Sequence, residues 1–257
     1  MNSAKPTARS KTAICTFDAD NILIRNKNLA SDLIGKYSFT QLMLLQSLGR
    51  EPTEMQARIV DAVLVTIMEH GLVPSAVATR LTHYGAPESF QGAVVAGLLG
   101  VGDRYAGTAG ECGEILERIA DMPEADRKAR AVEEVQAYRE IRRPVPGFGH
   151  PIHHEADPRV PRLLEVATEA GARGDFIGAM RLLESSLQEV LGKPLVTNIS
   201  AAIAAVLGEA GVPSKLMRGV VLTARCAGLV GHLYEEMNDP AAHDMWVAAR
   251  SAVDYAG

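Results

Sequence analysis

The chain has 257 residues, a formal net charge of -5 and 47% apolar residues, of which few are aromatic. A chain of this length can bury ~70–75% of its unfolded surface, in one large or two small domains, and its Ala, Leu and Val content favours packed helices over an aromatic-rich sandwich. The acidic balance argues against a nucleic-acid partner, and any polyphosphate ligand would need a local cluster of Arg and Lys.

Residues 1–11 are polar, lack an apolar run and are expected to form a disordered tail. No later stretch reaches the ~18 consecutive apolar residues of a membrane span, so no membrane is expected and the cytoplasm is the default. Residues 12–17 and 22–25 flank Asp18-Ala19-Asp20-Asn21 and read as one short hairpin, with no other convincing strand. Cys15, Cys112 and Cys226 are scattered without metal spacing and odd in number, which indicates neither a zinc site nor a disulfide framework; small core residues are expected.

From Ser31 onward the pattern is helical. Helices are expected over 38–48, ended by Gly49, and from a Thr53–Gln56 capping box to about His70-Gly71. Others follow over 74–83, 89–99 and 112–119. The small residues Gly92, Ala93, Ala96 and Gly97 in the 89–99 helix allow close, buried contact. The Gly100–Gly107 loop fits neither a Walker A nor a dinucleotide fingerprint. A charged helix over 123–143 should ride on the surface. Further helices are expected near 158–170, over 175–191 with Asp175 as cap, over 199–207 with Asn198 as cap, over 213–237 and over 240–255.

Between them stands Pro144-Val145-Pro146-Gly147-Phe148-Gly149-His150, which cannot continue a helix and reads as an ordered loop gathering backbone amides, an aromatic ring and an imidazole. Asp157 can cap a helix beginning at Pro158, with Arg159 in its first turn. An imidazole and a guanidinium flanking one pocket suit a carboxylate-bearing substrate. Arg225 lies in the apolar run 220–230 and needs an anionic partner, either a ligand or a structural ion pair. His70 either satisfies helix-end carbonyls or faces the site, and His232 is divided between core hydrogen bonding and the pocket. His83 and His243 read as surface or helix-end residues. His150, His153 and His154 lack a further ligand at helical spacing, so no metal is expected.

The run Gly147-Phe148-Gly149-His150 followed by Asp157-Pro158-Arg159 resembles the signature of the citrate synthase superfamily. Glu69-His70-Gly71 with Ser75, and Arg225 with Gly231-His232, fall where that superfamily has its other site segments. The short length and the 102–107 segment look more like its citryl-CoA lyase branch. The resemblance implies an all-α fold with one N-terminal β-hairpin, a large helical domain over 12–141 and 225–257, a small one over 142–224, and a homodimer or higher homo-oligomer. It also implies a coenzyme A thioester as substrate, cleaved as citryl-CoA to acetyl-CoA and oxaloacetate. His150 would act on the substrate's carbonyl or hydroxyl oxygen. His70, Arg159 and Arg225 would hold the carboxylates, and Val145, Gly147, Phe148, Gly149 and His154 would meet coenzyme A. The family's catalytic aspartate falls on Ser200, in Thr197-Asn198-Ile199-Ser200, whose hydroxyl has no carboxyl pKa to tune. A diverged enzyme acting on another polycarboxylic or hydroxy acid, or a non-catalytic binding subunit, are the alternatives.

Overall fold

The computed structural model describes residues 10–102, 108–149 and 157–256; the expected tail therefore lies largely outside the described residues. By internal contacts the chain divides into Met1–Ala57 and Arg58–Gly257. The lobe over 142–224 remains an expectation of the resemblance.

The first unit opens on an antiparallel sheet, β1 (Cys15–Phe17), β2 (Ile22–Ile24) and β3 (Lys27–Asn28), in that order. Cys15 faces Ile24 and Phe17 faces Ile22 across the hairpin. Its turn is closed by Asp18, whose Oδ1 accepts from the N–H groups of Asp20 at 2.9 Å and Asn21 at 2.8 Å. The third strand is a finding beyond the expected hairpin. Its two-residue turn puts Arg25 and Asn26 at φ 49° and 65°, the left-handed pair that tight hairpins need, usually supplied by Asn or Gly. Two hydrogen bonds from the Arg25 guanidinium to the Gln46 carbonyl, at 2.9 and 2.7 Å, hold the arginine there. Cys15 lies on an exposed strand, which corrects the expectation of a core cysteine, whereas Cys112 is fully buried.

Capping chemistry sets the next boundaries. Ser38 and Gln41 form a capping box at the start of α1 (Phe39–Leu48), and Gly49, at φ 71°, ends it. Thr53 and Gln56 exchange the same pair of bonds ahead of α2 (Glu54–Ile67).

The second unit contains α3 (Pro74–Gly85), α4 (Phe90–Leu99), α5 (Thr108–Ala120), α6 (Arg127–Glu140), α7 (Arg159–Glu169), α8 (Asp175–Leu191), α9 (Ile199–Glu209), α10 (Ser214–Asn238) and α11 (Ala242–Ala252). Its centre is α9, buried from Ala201 to Gly208. The alanines of α9 let α5, α7, α8 and α10 all pack against it. The small residues of α4 work likewise, since a Cβ at Gly97 would stand 1.9 Å from Thr79 Oγ1. By length and composition α10 is the one described helix apolar enough to cross a membrane; in the fold it packs on α3, α4, α5 and α9.

Two expectations are corrected. The charged helix expected over 123–143 does ride on the surface, but it is shorter than expected: a 3-10 turn, Glu124–Asp126, is followed by α6, which packs one face on α8 and buries Ala131, Glu134 and Val135. Glu134 is tolerated inside because Arg118 binds it through Nε at 2.7 Å and Nη2 at 2.8 Å, and Arg130 Nη2 at 2.6 Å. Nor does Asp175 cap α8. The N-cap is Gly174 at φ 94°, and the Glu209 carboxylate accepts from the N–H groups of Gly174, Phe176 and Ile177 at 2.9, 2.7 and 3.0 Å. A carboxylate from a neighbouring helix reaches three amides at once, which a side chain on the helix itself does not.

Candidate active site

The site begins where α10 crosses the end of α2. A Cβ at Gly228 would meet the Met68 carbonyl at 2.2 Å and Glu69 Oε2 at 3.2 Å, so only glycine allows this approach. The chain then turns through Gly71 at φ 72°, and Glu69 Oε1 accepts from the N–H groups of His70 at 2.7 Å and Gly71 at 3.0 Å. Burial pushes the Glu69 carboxyl up, but the His70 N–H, His232 and the Arg225 charge more than offset it, leaving the group below its ordinary value. Glu69 is thus a carboxylate at neutral pH.

Arg225, on the same face of α10, is only 6% exposed. Among the described residues the one carboxylate within reach is that of Glu69, 4.0 Å from Nη1, too long for a hydrogen bond. Burial lowers the Arg225 pKa; Glu69 opposes this and the nearby Arg159 adds to it. The fold therefore sets two guanidiniums close enough to repel one another, and leaves the more buried one short of partners. Arg159 opens α7 and is oriented by Asp157, whose Oδ1 accepts from Nε at 3.0 Å and Oδ2 from Nη2 at 2.8 Å. Asp157 Oδ1 also accepts from the Arg159 N–H at 3.1 Å, but the N-cap is Pro158, so α7 begins one residue later than expected and Asp157 stands just before its cap. A pair of arginines in this state is suited to a carboxylate ligand, because bidentate bonds to an anion would satisfy the donors and cancel the repulsion.

His232 lies one turn beyond Gly228 on α10. Its Nδ1 accepts from Arg80 Nε at 3.0 Å, and its Nε2 is 2.9 Å from Glu69 Oε2. That second contact is short but bent, so Nε2 has no well-formed hydrogen bond. Of the two alternatives for His232, core hydrogen bonding is seen at Nδ1, while Nε2 faces the Glu69 carboxylate. Arg80 itself is buried and bound by Glu236, at 2.8 Å from Nη1, and by Glu235. His83, on the same helix as Arg80, lies in its last turn, as the helix-end alternative had it, but is buried there and not on the surface. Glu69 as a hub, Arg80 and the orienting role of Asp157 were missed in the sequence. The signals for them are glycines inside an apolar helix and a carboxylate two residues before an arginine.

A second grouping forms around the central loop. Val145, Pro146, Gly147 and Phe148 are buried. Phe148 bridges Thr197, the Gly149 N–H donates to the Val196 carbonyl at 2.7 Å, and the Asn198 N–H donates to the Gly147 carbonyl at 3.0 Å. Asn198 Nδ2 adds a bond to the Gly149 carbonyl at 2.8 Å. Gly147, at φ 91°, rests where a Cβ would meet Ala201 Cβ at 2.8 Å and Cys112 Sγ at 2.9 Å. Asn198 Oδ1 caps α9 by accepting from the Ser200 N–H at 2.9 Å, which fixes Ser200 in the first turn, half-buried, beside the pinned loop. Burial pushes the Cys112 thiol up to about 12, so it stays protonated and inert. His150 and His154 lie outside the described residues. The structure thus brings together Arg159, Arg225 and the His70 backbone in one cluster, and Val145, Gly147, Phe148, Gly149 and Ser200 in another.

Known proteins bear on this arrangement. A family model described as "Citrate synthase, C-terminal domain" matches residues 7–245. The structure of citryl-CoA lyase from Hydrogenobacter thermophilus superposes with a TM-score of 0.84 at 30% identity, covering 96% of this chain and 94% of that one. ATP citrate lyase from Methanothrix soehngenii, solved with citrate and coenzyme A, shares the fold at a TM-score of 0.74 and 20% identity, over 92% of this chain and 40% of that one. Citrate synthase of Haloferax volcanii is 27% identical over 201 residues, 74% of this chain and 49% of its own length. The chain spans about half the length of the curated relatives it matches. A match that runs along nearly the whole sequence, on a helical fold shared from end to end with a citryl-CoA lyase, establishes that the chain belongs to the citrate synthase family.

Proposed function

We propose that this chain is a citryl-CoA lyase-like enzyme, which cleaves citryl-CoA to acetyl-CoA and oxaloacetate. The observation that carries the reading is Arg225, a buried guanidinium whose nearest carboxylate among the described residues, that of Glu69, lies 4.0 Å away, with the charge of Arg159 close by. The length-matched similarity to a citryl-CoA lyase favours the lyase over the synthase direction. Arg159 and Arg225, with His70, hold carboxylates of the substrate. His150 takes the proton of the citryl hydroxyl as the bond between that carbon and the acetyl methylene breaks. The hydroxyl carbon becomes the ketone of oxaloacetate, and the departing thioester enolate takes up a proton to give acetyl-CoA. The loop from Val145 to Gly149, together with His154, receives the coenzyme A moiety.

Incubation with citryl-CoA, followed by quantifying both products, tests this. Equal yields of acetyl-CoA and oxaloacetate that vanish in His150→Ala support the lyase. No product from the wild type refutes it.

One residue favours a second reading. With Ser200 at the position of the family's aspartate, the reaction with citryl-CoA is expected to be ~10²–10⁴-fold slower than with a carboxyl there, and another polycarboxylic or hydroxy acid is then the substrate. We also propose that the chain forms a homodimer through α4 and α10, which expose Val95, Leu99 and Tyr234, the last two by 82% and 71%.

A further inference from the structure

Glu69 meets the His70–Gly71 turn, Arg225 and His232 at once, and Arg80 decides how its histidine partner can act. An arginine is always a donor, so the bond from Arg80 Nε to His232 Nδ1 at 3.0 Å requires a lone pair on Nδ1. The ring is then the neutral tautomer with its hydrogen on Nε2, 2.9 Å from Glu69 Oε2. The other oxygen of Glu69 accepts from the His70 and Gly71 N–H groups and lies 4.0 Å from Arg225 Nη1. Gly228 is what lets α10 bring Arg225 and His232 to the Glu69 turn at all. The opposite end of the chain is anchored in the interior, where Arg80 is bound by Glu236 and Glu235.

The geometry points to Arg80, His232 and Glu69 as a chain of positioning residues, in which a fixed imidazole tautomer sets its Nε2–H against the Glu69 carboxylate at 2.9 Å, a close polar contact and not an aligned hydrogen bond, while the other Glu69 oxygen shapes the His70–Gly71 turn beside Arg225. This rests on the lyase reading only in naming the ligand; the tautomer is a property of the chain itself. Glu69 does not touch the reacting atoms. Its oxygen keeps the turn closed, and its charge offsets the repulsion between Arg225 and Arg159 until a ligand carboxylate arrives.

Two measurements test the chain, and one of them is independent of any ligand. In the wild type, ¹⁵N NMR of labelled histidine at pH 7.5 is expected to show His232 as the neutral Nε2–H tautomer. An Nδ1–H tautomer or an imidazolium would overturn the proposal. Oxaloacetate binding is then measured by calorimetry. Glu69→Ala, which removes the acceptor of both amides, is expected to weaken binding about tenfold with helical circular dichroism unchanged. Glu69→Gln, which keeps an oxygen for those amides, is expected to recover most of the loss. Unchanged binding in Glu69→Ala, or no recovery in Glu69→Gln, contradicts a positioning role. A wild type that binds no oxaloacetate refutes the lyase reading instead, while the NMR result still decides the state of His232.

Discussion

The backbone of α10 at Gly228 runs so close to Met68 that a Cβ would stand 2.2 Å from the Met68 carbonyl oxygen. Gly228→Ala must therefore push α10 away from the end of α2, and with it the Glu69 carboxylate near Arg225. Destabilisation of about 1–3 kcal/mol is expected in urea unfolding, together with weaker binding of carboxylate ligands. A variant as stable as the wild type would show that the two backbones separate without cost.

Arg80 and Glu236 form an ion pair in which both side chains are 3% exposed. Removing one member strands the other charge, so Arg80→Leu is expected to cost about 3–5 kcal/mol. Glu235, on the same guanidinium, is largely exposed, and Glu235→Gln should cost less than about 1 kcal/mol. Denaturant midpoints of the two variants give the comparison, and equal losses would contradict it.

Acid should loosen the α6 face. Burial pushes the Glu134 carboxyl up, but Arg118 and Arg130 outweigh it and hold the pKa below its ordinary value of 4.5. A carboxyl depressed on folding contributes stability at every pH above its unfolded value. That stability is lost as the pH falls through the folded one. Glu134→Gln is therefore expected to unfold more easily than the wild type at pH 7, and the gap should narrow below pH 4.5. A gap that does not change with pH would mean that the pair contributes only packing.

Val95→Glu combined with Leu99→Glu should convert the proposed dimer to monomers in sedimentation, with helical circular dichroism unchanged, because both side chains are exposed on α4. A wild type that already sediments as a monomer would contradict the dimer.

Much of this was legible in the sequence where one residue determines a local outcome. The capping box at Thr53, the Asn198 cap and the tight contact at Gly97 follow from residue type alone. So does the polar demand at Arg225, because an arginine in an apolar run must find an anion. What was not legible depends on partners distant in sequence. Glu209 caps α8 from a separate helix, His83 is covered by packing, and Glu69 gains its role only when Gly228 brings α10 alongside. The third strand escaped because Arg25 occupies a turn position that Gln46 stabilises from elsewhere.

The claim on which the rest depends is that Arg225, beside Arg159, is the carboxylate-binding group of this chain. Calorimetric titration of oxaloacetate into the wild type and into Arg225→Leu, which keeps the apolar packing of α10, addresses it most directly. Saturable binding by the wild type, weakened at least about tenfold in the variant, is the expected result. Equal binding by both proteins, or none by the wild type, would contradict the account.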